Sequence, residues 1–207
     1  LAPDDITRLE ALESVAERGG LSDRLRSALE EMASVVISVP LRGRLLVSVA
    51  RRNEAIGDTE GAARAWSRVL KEVDNRDARA LMALGSLYRQ GEQWPELVEI
   101  LRRDATPTIE LMVELAELYR GPIGDLGEAV RWYRKAHEGR PDDLDILDGF
   151  IEVEAEREAW PTVYALMASR IVAAESEEAR IAWLARRAQV AETGLGQPAE
   201  AIQGWSE

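Results

Sequence analysis

The chain matches itself, and the spacing of the match limits what it can fold into. The stretch PDDITRLEALESVAERGGLSDRLRSALEEMASVV, from Pro3, lies without a gap over PDDLDILDGFIEVEAEREAWPTVYALMASRIVAA, from Pro141. In that overlay Ile6, Leu9, Leu12, Leu25 and Leu29 fall on Leu144, Leu147, Phe150, Val163 and Met167. About half that spacing recurs, because Trp94-Pro95 and Trp160-Pro161 stand 66 residues apart. A third overlay sets GDTEGAARAWSRVL, GDLGEAVRWYRKA and GQPAEAIQGW together, so that Gly57, Gly124 and Gly196 coincide, as do Trp66, Tyr133 and Trp205. The basic unit is therefore about 33 to 36 residues long, a period at which small supersecondary units stack on their neighbours.

Each unit reads as two helices. In ARALMALGSLYRQ, Leu81, Leu84 and Tyr88 recur at the three- and four-residue spacing of an amphipathic helix. In WPELVEILRR, Leu97, Ile100 and Leu101 form a second stripe, and Pro95 sits in a first turn, where its missing N–H costs nothing. The intervening QGEQ is too short for anything but an antiparallel hairpin. No linker divides the chain, so a single repeat domain over 1–207 is expected, with units near 3–42, 43–77, 78–108, 109–141, 142–179 and 180–207. The last of these ends inside its second helix, and Leu1 rather than Met opens the chain, so a piece of a longer protein is expected. A lone hairpin cannot cover its apolar stripe, which makes stacking obligatory. Ala62, Ala63 and Ala129 suit close helix approach, and Trp66, Tyr133 and Trp205 would wedge against the following hairpin.

The glycine cluster in LYRGPIGDLGEAV tests this reading. Gly121, Gly124 and Gly127 follow an amphipathic helix rather than a strand, and their spacing is not that of a dinucleotide loop. They mark the turn between two packed helices, with Asp125 or the adjacent turn opening the second. The extra residues relative to AIGD at 55–58 read as a loop insertion.

These units resemble tetratricopeptide repeats. Leu81, Leu84-Gly85 and Tyr88 match the first helix of that signature, and Ala129, Tyr133, Ala136 and Pro141 match its second half. Leu115-Ala116 with Tyr119, and Ala62 with Trp66, match again; the units near 3 and 142 lack the Gly and Tyr, having Ile151 and Glu154 in the later one. The likeness covers nearly the whole chain and is strongest over 43–141. It implies an all-α, right-handed α-solenoid of antiparallel hairpins, a superhelix of about six units. It also implies a non-enzymatic scaffold whose concave face, built from first helices, grips a peptide or partner domain. The matching positions are Arg44, Val47, Arg51 and Glu54; Arg79, Met82, Ser86 and Arg89; Glu110, Val113, Glu117 and Arg120; and Asp145, Asp148 and Glu152. Such a groove is arginine-rich at first and acidic further on, which would orient a partner with complementary blocks. The plainer alternative is that these are solvated residues. The family's clamp for chaperone tails needs paired Lys and Asn, which Asn53, Asn75, Lys71 and Lys135 do not supply.

Composition removes other functions. A formal charge of −12 disfavours nucleic acid and anionic membrane surfaces. The absence of cysteine excludes thiolate metal sites and cysteine nucleophiles. No apolar run is long enough to span a bilayer. His137 is the only histidine and stands near a helix end, where a cation is favourable. Glu152, Glu154, Glu156 and Glu158 alternate within one acidic helix with no sign of a tuned catalytic pair. Neither DNRDARA nor PDDLDILDG has the oxygen-ligand spacing of a calcium loop, and no serine stands in a Gly-x-Ser-x-Gly turn. The six tryptophans read mainly as packing, with Trp132 set apart because it and Tyr133 would not both turn inward. No cofactor, metal or catalytic residue is expected. The compartment stays open, with the cytoplasm favoured. The rival to the scaffold is an architectural or regulatory segment of a larger protein that contacts its own flanking domains.

Overall fold

The computed structural model describes residues 18–197 together with Ala11, Ser14 and Val15. The described residues are helical with no strand among them, and the chain divides into two compact units, residues 1–103 and 104–207. In the first, α1 (Ser22–Val35), α2 (Val39–Ala55), α3 (Thr59–Glu72), α4 (Ala78–Gln90) and α5 (Trp94–Leu101) each pack on the next. In the second, α6 (Ile109–Leu118) runs into a π-helical turn (Tyr119–Ile123), followed by α7 (Leu126–Gly139), α8 (Leu144–Glu156), α9 (Trp160–Val172) and α10 (Glu177–Gln189), which ends in a second π turn (Val190–Gly194). There too each helix packs against its successor, in antiparallel hairpins.

The sequence starts these helices with side-chain caps. Asp58, Asp77, Thr108, Asp125, Asp143 and Ser176 each accept a backbone N–H from the first turn they precede. Each such cap contributes about 1 kcal/mol. Pro40, Pro95 and Pro161 occupy first turns elsewhere.

The turn inside each hairpin also repeats. The residue before the cap is left-handed at Gly57 (φ 76°), Glu92 (51°), Gly124 (76°) and Glu158 (57°). At each turn the next N–H reaches back into the first helix, from Asp58 to Asn53 O (2.9 Å), Gln93 to Tyr88 O (2.8 Å), Asp125 to Tyr119 O (2.8 Å) and Ala159 to Glu154 O (2.9 Å). Asn53, Tyr88, Tyr119 and Glu154 are therefore equivalent positions. The extra residues before Gly124 are not a looped insertion: they widen the end of the first helix into a π turn, which keeps their backbone groups bonded and accommodates Pro122.

The cores follow the periodic positions. In the first unit Leu25, Leu29, Leu45, Leu46, Trp66, Val69 and Leu84 are buried, with Ala62 fully covered. In the second, Leu115, Ala129, Tyr133, Leu147, Phe150, Ile151, Val163 and Met167 are buried. Leu25 and Leu29 thus match Val163 and Met167 in burial as well as in sequence, while Ile6, Leu9 and Leu12 lie outside the described residues. Tyr133 presses on the next hairpin: a Cβ on Gly149 would stand 2.6 Å from its ring, so only glycine fits there. Trp66 is buried in the first unit's core, and Trp205 lies outside the described residues.

Candidate functional site

The first helix of each hairpin buries one face and leaves the other open. On α4, Arg79, Met82, Ser86 and Arg89 fall within one arc at about 100° per residue, opposite Leu84, Leu87 and Tyr88. That arc is exposed, and Met82 at its centre is 77% exposed. Arg79 is tied to Asp77, the residue that caps its own helix, at 2.7 Å. Their hydrogen bond lowers the Asp77 carboxyl and raises the Arg79 guanidinium from their ordinary values. On α2, Arg51 and Glu54 are exposed and Arg44 is half-buried, whereas Val47 is buried and faces the core. Glu54 accepts a 2.7 Å hydrogen bond from Trp66 Nε1, so it orients the core tryptophan.

In the second unit the structure gathers predicted positions into one ionic cluster. Arg120, in the π turn after α6, reaches Glu152 (3.0 Å) and Glu156 (2.6 Å) on α8 and stands 4.0 Å from Glu117. Its guanidinium is raised, first by the hydrogen bond to Glu156. Tyr133 donates its hydroxyl to Glu117 from α7. Of the other predicted positions there, Glu110 pairs with Arg140, Asp148 with Arg170 at 2.7 Å, and Asp145 is exposed. The Glu110 carboxyl is lowered by its own backbone N–H first and by Arg140 second. Glu156, Arg140 and Arg170 were missed as members of this surface. Glu156 lies one helical turn beyond Glu152, which is the one signal the sequence held; the two arginines come from second helices, and spacing alone does not bring them in.

Among the described residues no three His, Cys, Asp or Glu side chains gather to hold a metal ion, and no helix is long and apolar enough to cross a membrane. His137, in the last turn of α7, stacks at a tilt against Phe150 with ring centroids 6.2 Å apart. Asn53 is buried and accepts from Arg26 Nη1 at 3.0 Å, so it is absent from the open face.

A family model for the tetratricopeptide repeat matches residues 80–110. Among solved structures, MamA of AMB-1 superposes with a TM-score of 0.51 at 16% identity, over 81% of this chain and 90% of that one. Residues 80–110 thus match a tetratricopeptide repeat, and the chain as a whole shares the all-α helical-hairpin repeat fold. Two further structures are similar at lower scores. YrrB, described as a tetratricopeptide protein with an unusual peptide-binding site, has a TM-score of 0.47 at 16% identity over 87% and 92% of the two chains. A tetratricopeptide repeat protein from Parabacteroides merdae has 0.45 at 15% identity over 96% and 76%. No curated protein matches the sequence.

One detail of this tetratricopeptide-like packing departs from expectation. Trp132 and Tyr133 are both buried, at 9% and 2% exposure. Neighbouring residues on a helix point about 100° apart, and α7 is covered on two sides, by α6 and by α8, so both directions lead inward. Lys135 lies 4.6 Å over the Trp132 ring. Trp183 in α10 is flanked by Arg170 and Arg186 at 5.2 and 5.0 Å from its ring. Trp94 and Trp160 are half-buried at the starts of second helices, with Trp160 against Gly194.

Proposed function

We propose that this chain is a non-enzymatic scaffold that docks a peptide or partner domain on the open faces of its first helices. The observation that carries the reading is Met82, a large apolar side chain left open between Arg79, Ser86 and Arg89. An exposed apolar centre with a charged rim is the usual composition of a docking surface. Arg44, Arg51, Arg79 and Arg89 would take acidic groups of the partner. Glu110, Glu117, Asp145, Asp148 and Glu152 would take basic ones. Charges of this kind act mainly on encounter rate and orientation.

The test is affinity capture with the chain as bait, followed by binding of the recovered partner to the Arg51→Glu/Arg89→Glu protein. The double change should weaken binding roughly tenfold or more. Undiminished binding would remove the first-helix faces from the account. A second reading, an architectural segment contacting the domains that flank it, draws on Val35 and Ile37, which are 75% and 91% exposed at and just beyond the end of α1.

A further inference from the structure

The face of α4 opposite Met82 carries a second surface. Between α3 and α5, over the back of α4, two adjoining chambers of about 750 and 710 Å³ share Ser67, Tyr88 and Glu96 and so form one groove, entirely within the first unit. Ala63, Leu84, Leu87 and Tyr88 make its floor, and the Tyr88 hydroxyl meets Ser67 Oγ at 3.4 Å where the chambers join.

The walls differ in charge. The α3 side and the turn after it present Arg64, Arg68, Lys71 and Arg76, an anomaly in a chain of net charge −12. Arg64 and Arg68 are matched within α3 by Glu60 and Glu72, but Lys71 and Arg76 make no direct ion pair among the described residues. On the opposite wall Glu99 is matched by Arg103, and Glu96 makes no ion pair among the described residues. The groove thus offers an apolar floor, two exposed cations without a direct ion pair, of which Lys71 also feels the charge of Glu72, and the carboxylate of Glu96 on the opposite wall.

We propose that this groove is a second docking surface for an acidic amphipathic segment of a partner protein. Apolar side chains of that segment rest on Leu87 and Tyr88, and its carboxylates meet Lys71 and Arg76. The charge complementarity selects this occupant, since a basic segment would face both cations. The site is independent of the first-helix faces and would stand if those failed.

The full chain is immobilised and a random peptide library displayed on phage is selected on it. Enriched peptides should combine apolar residues with Asp or Glu. Their binding should fall roughly tenfold on the Lys71→Glu/Arg76→Glu protein, strengthen on Glu96→Lys, and stay unchanged on Arg51→Glu/Arg89→Glu. All these positions are exposed, and circular dichroism checks that the variants keep their helices. No enrichment of acidic peptides, or full binding to Lys71→Glu/Arg76→Glu, overturns the groove. Loss confined to Arg51→Glu/Arg89→Glu also overturns it while leaving the first-helix reading in place.

Discussion

The two units fill one repeat position in different ways. In the first it holds Asn53 and then Tyr88; in the second it holds Tyr119, then Glu154 and then Ala191, each five or six residues before the residue whose N–H bonds back to it. The tyrosines fill the space with a ring. Asn53 and Glu154 are buried polar groups, and each arrives with an arginine. Arg26, from α1, serves Asn53 at 3.0 Å, and Arg157 serves Glu154 at 2.9 Å with Arg134 of α7 at 3.9 Å. The position therefore does not require tyrosine. Buried Ala191 occupies it with no polar group at all, and where the occupant is polar its atoms are met, because an unmet buried polar group costs free energy.

Removing the partners separates the two kinds of occupant. Arg157→Ala should cost about 3 kcal/mol, because it strips the nearer cation from a buried carboxylate. Arg26→Ala should cost about 1 kcal/mol, since Asn53 is neutral. Tyr88→Phe, losing only a long hydroxyl contact to Ser67, should cost less than about 0.5 kcal/mol. Urea unfolding of the three variants measures the order, and equal losses would show that the position acts by volume alone.

A smaller difference lies in the four turns before Asp58, Gln93, Asp125 and Ala159, where each unit has a left-handed glycine at one turn and a left-handed glutamate at the other. Glu92→Gly and Glu158→Gly should each stabilise the chain by up to about 1 kcal/mol, and Gly57→Ala and Gly124→Ala should each destabilise it by a similar amount. Thermal melting of the four proteins reads the signs. A loss at either glutamate would mean that its side chain contributes more than the backbone strain it imposes.

The hairpins were legible because their determinants are local. Apolar spacing, Gly57-Asp58 and Gly124-Asp125, and the Trp-Pro starts each act within a few residues. Equivalence of Asn53 and Glu154 with the tyrosines was hidden, since it is carried by backbone hydrogen bonds and by arginines outside the motif. The π turn was hidden for a similar reason: the sequence shows extra residues, and only the hydrogen bonds show that they stay helical. On the candidate surface, the acidic positions of α6 and α8 could be read one helix at a time. Their linkage through Arg120 spans 36 residues to Glu156 and depends on the packing of successive hairpins.

The absence of cysteine from the sequence lets docking on the first-helix faces be tested directly. A single thiol placed by Met82→Cys can be timed against a maleimide reagent with and without the partner recovered by capture. Bound partner should slow the reaction roughly tenfold or more, while a thiol placed by Glu138→Cys on the second helix α7 reacts at its free rate. Equal reactivity of the Met82→Cys thiol in the free and bound protein would contradict the account.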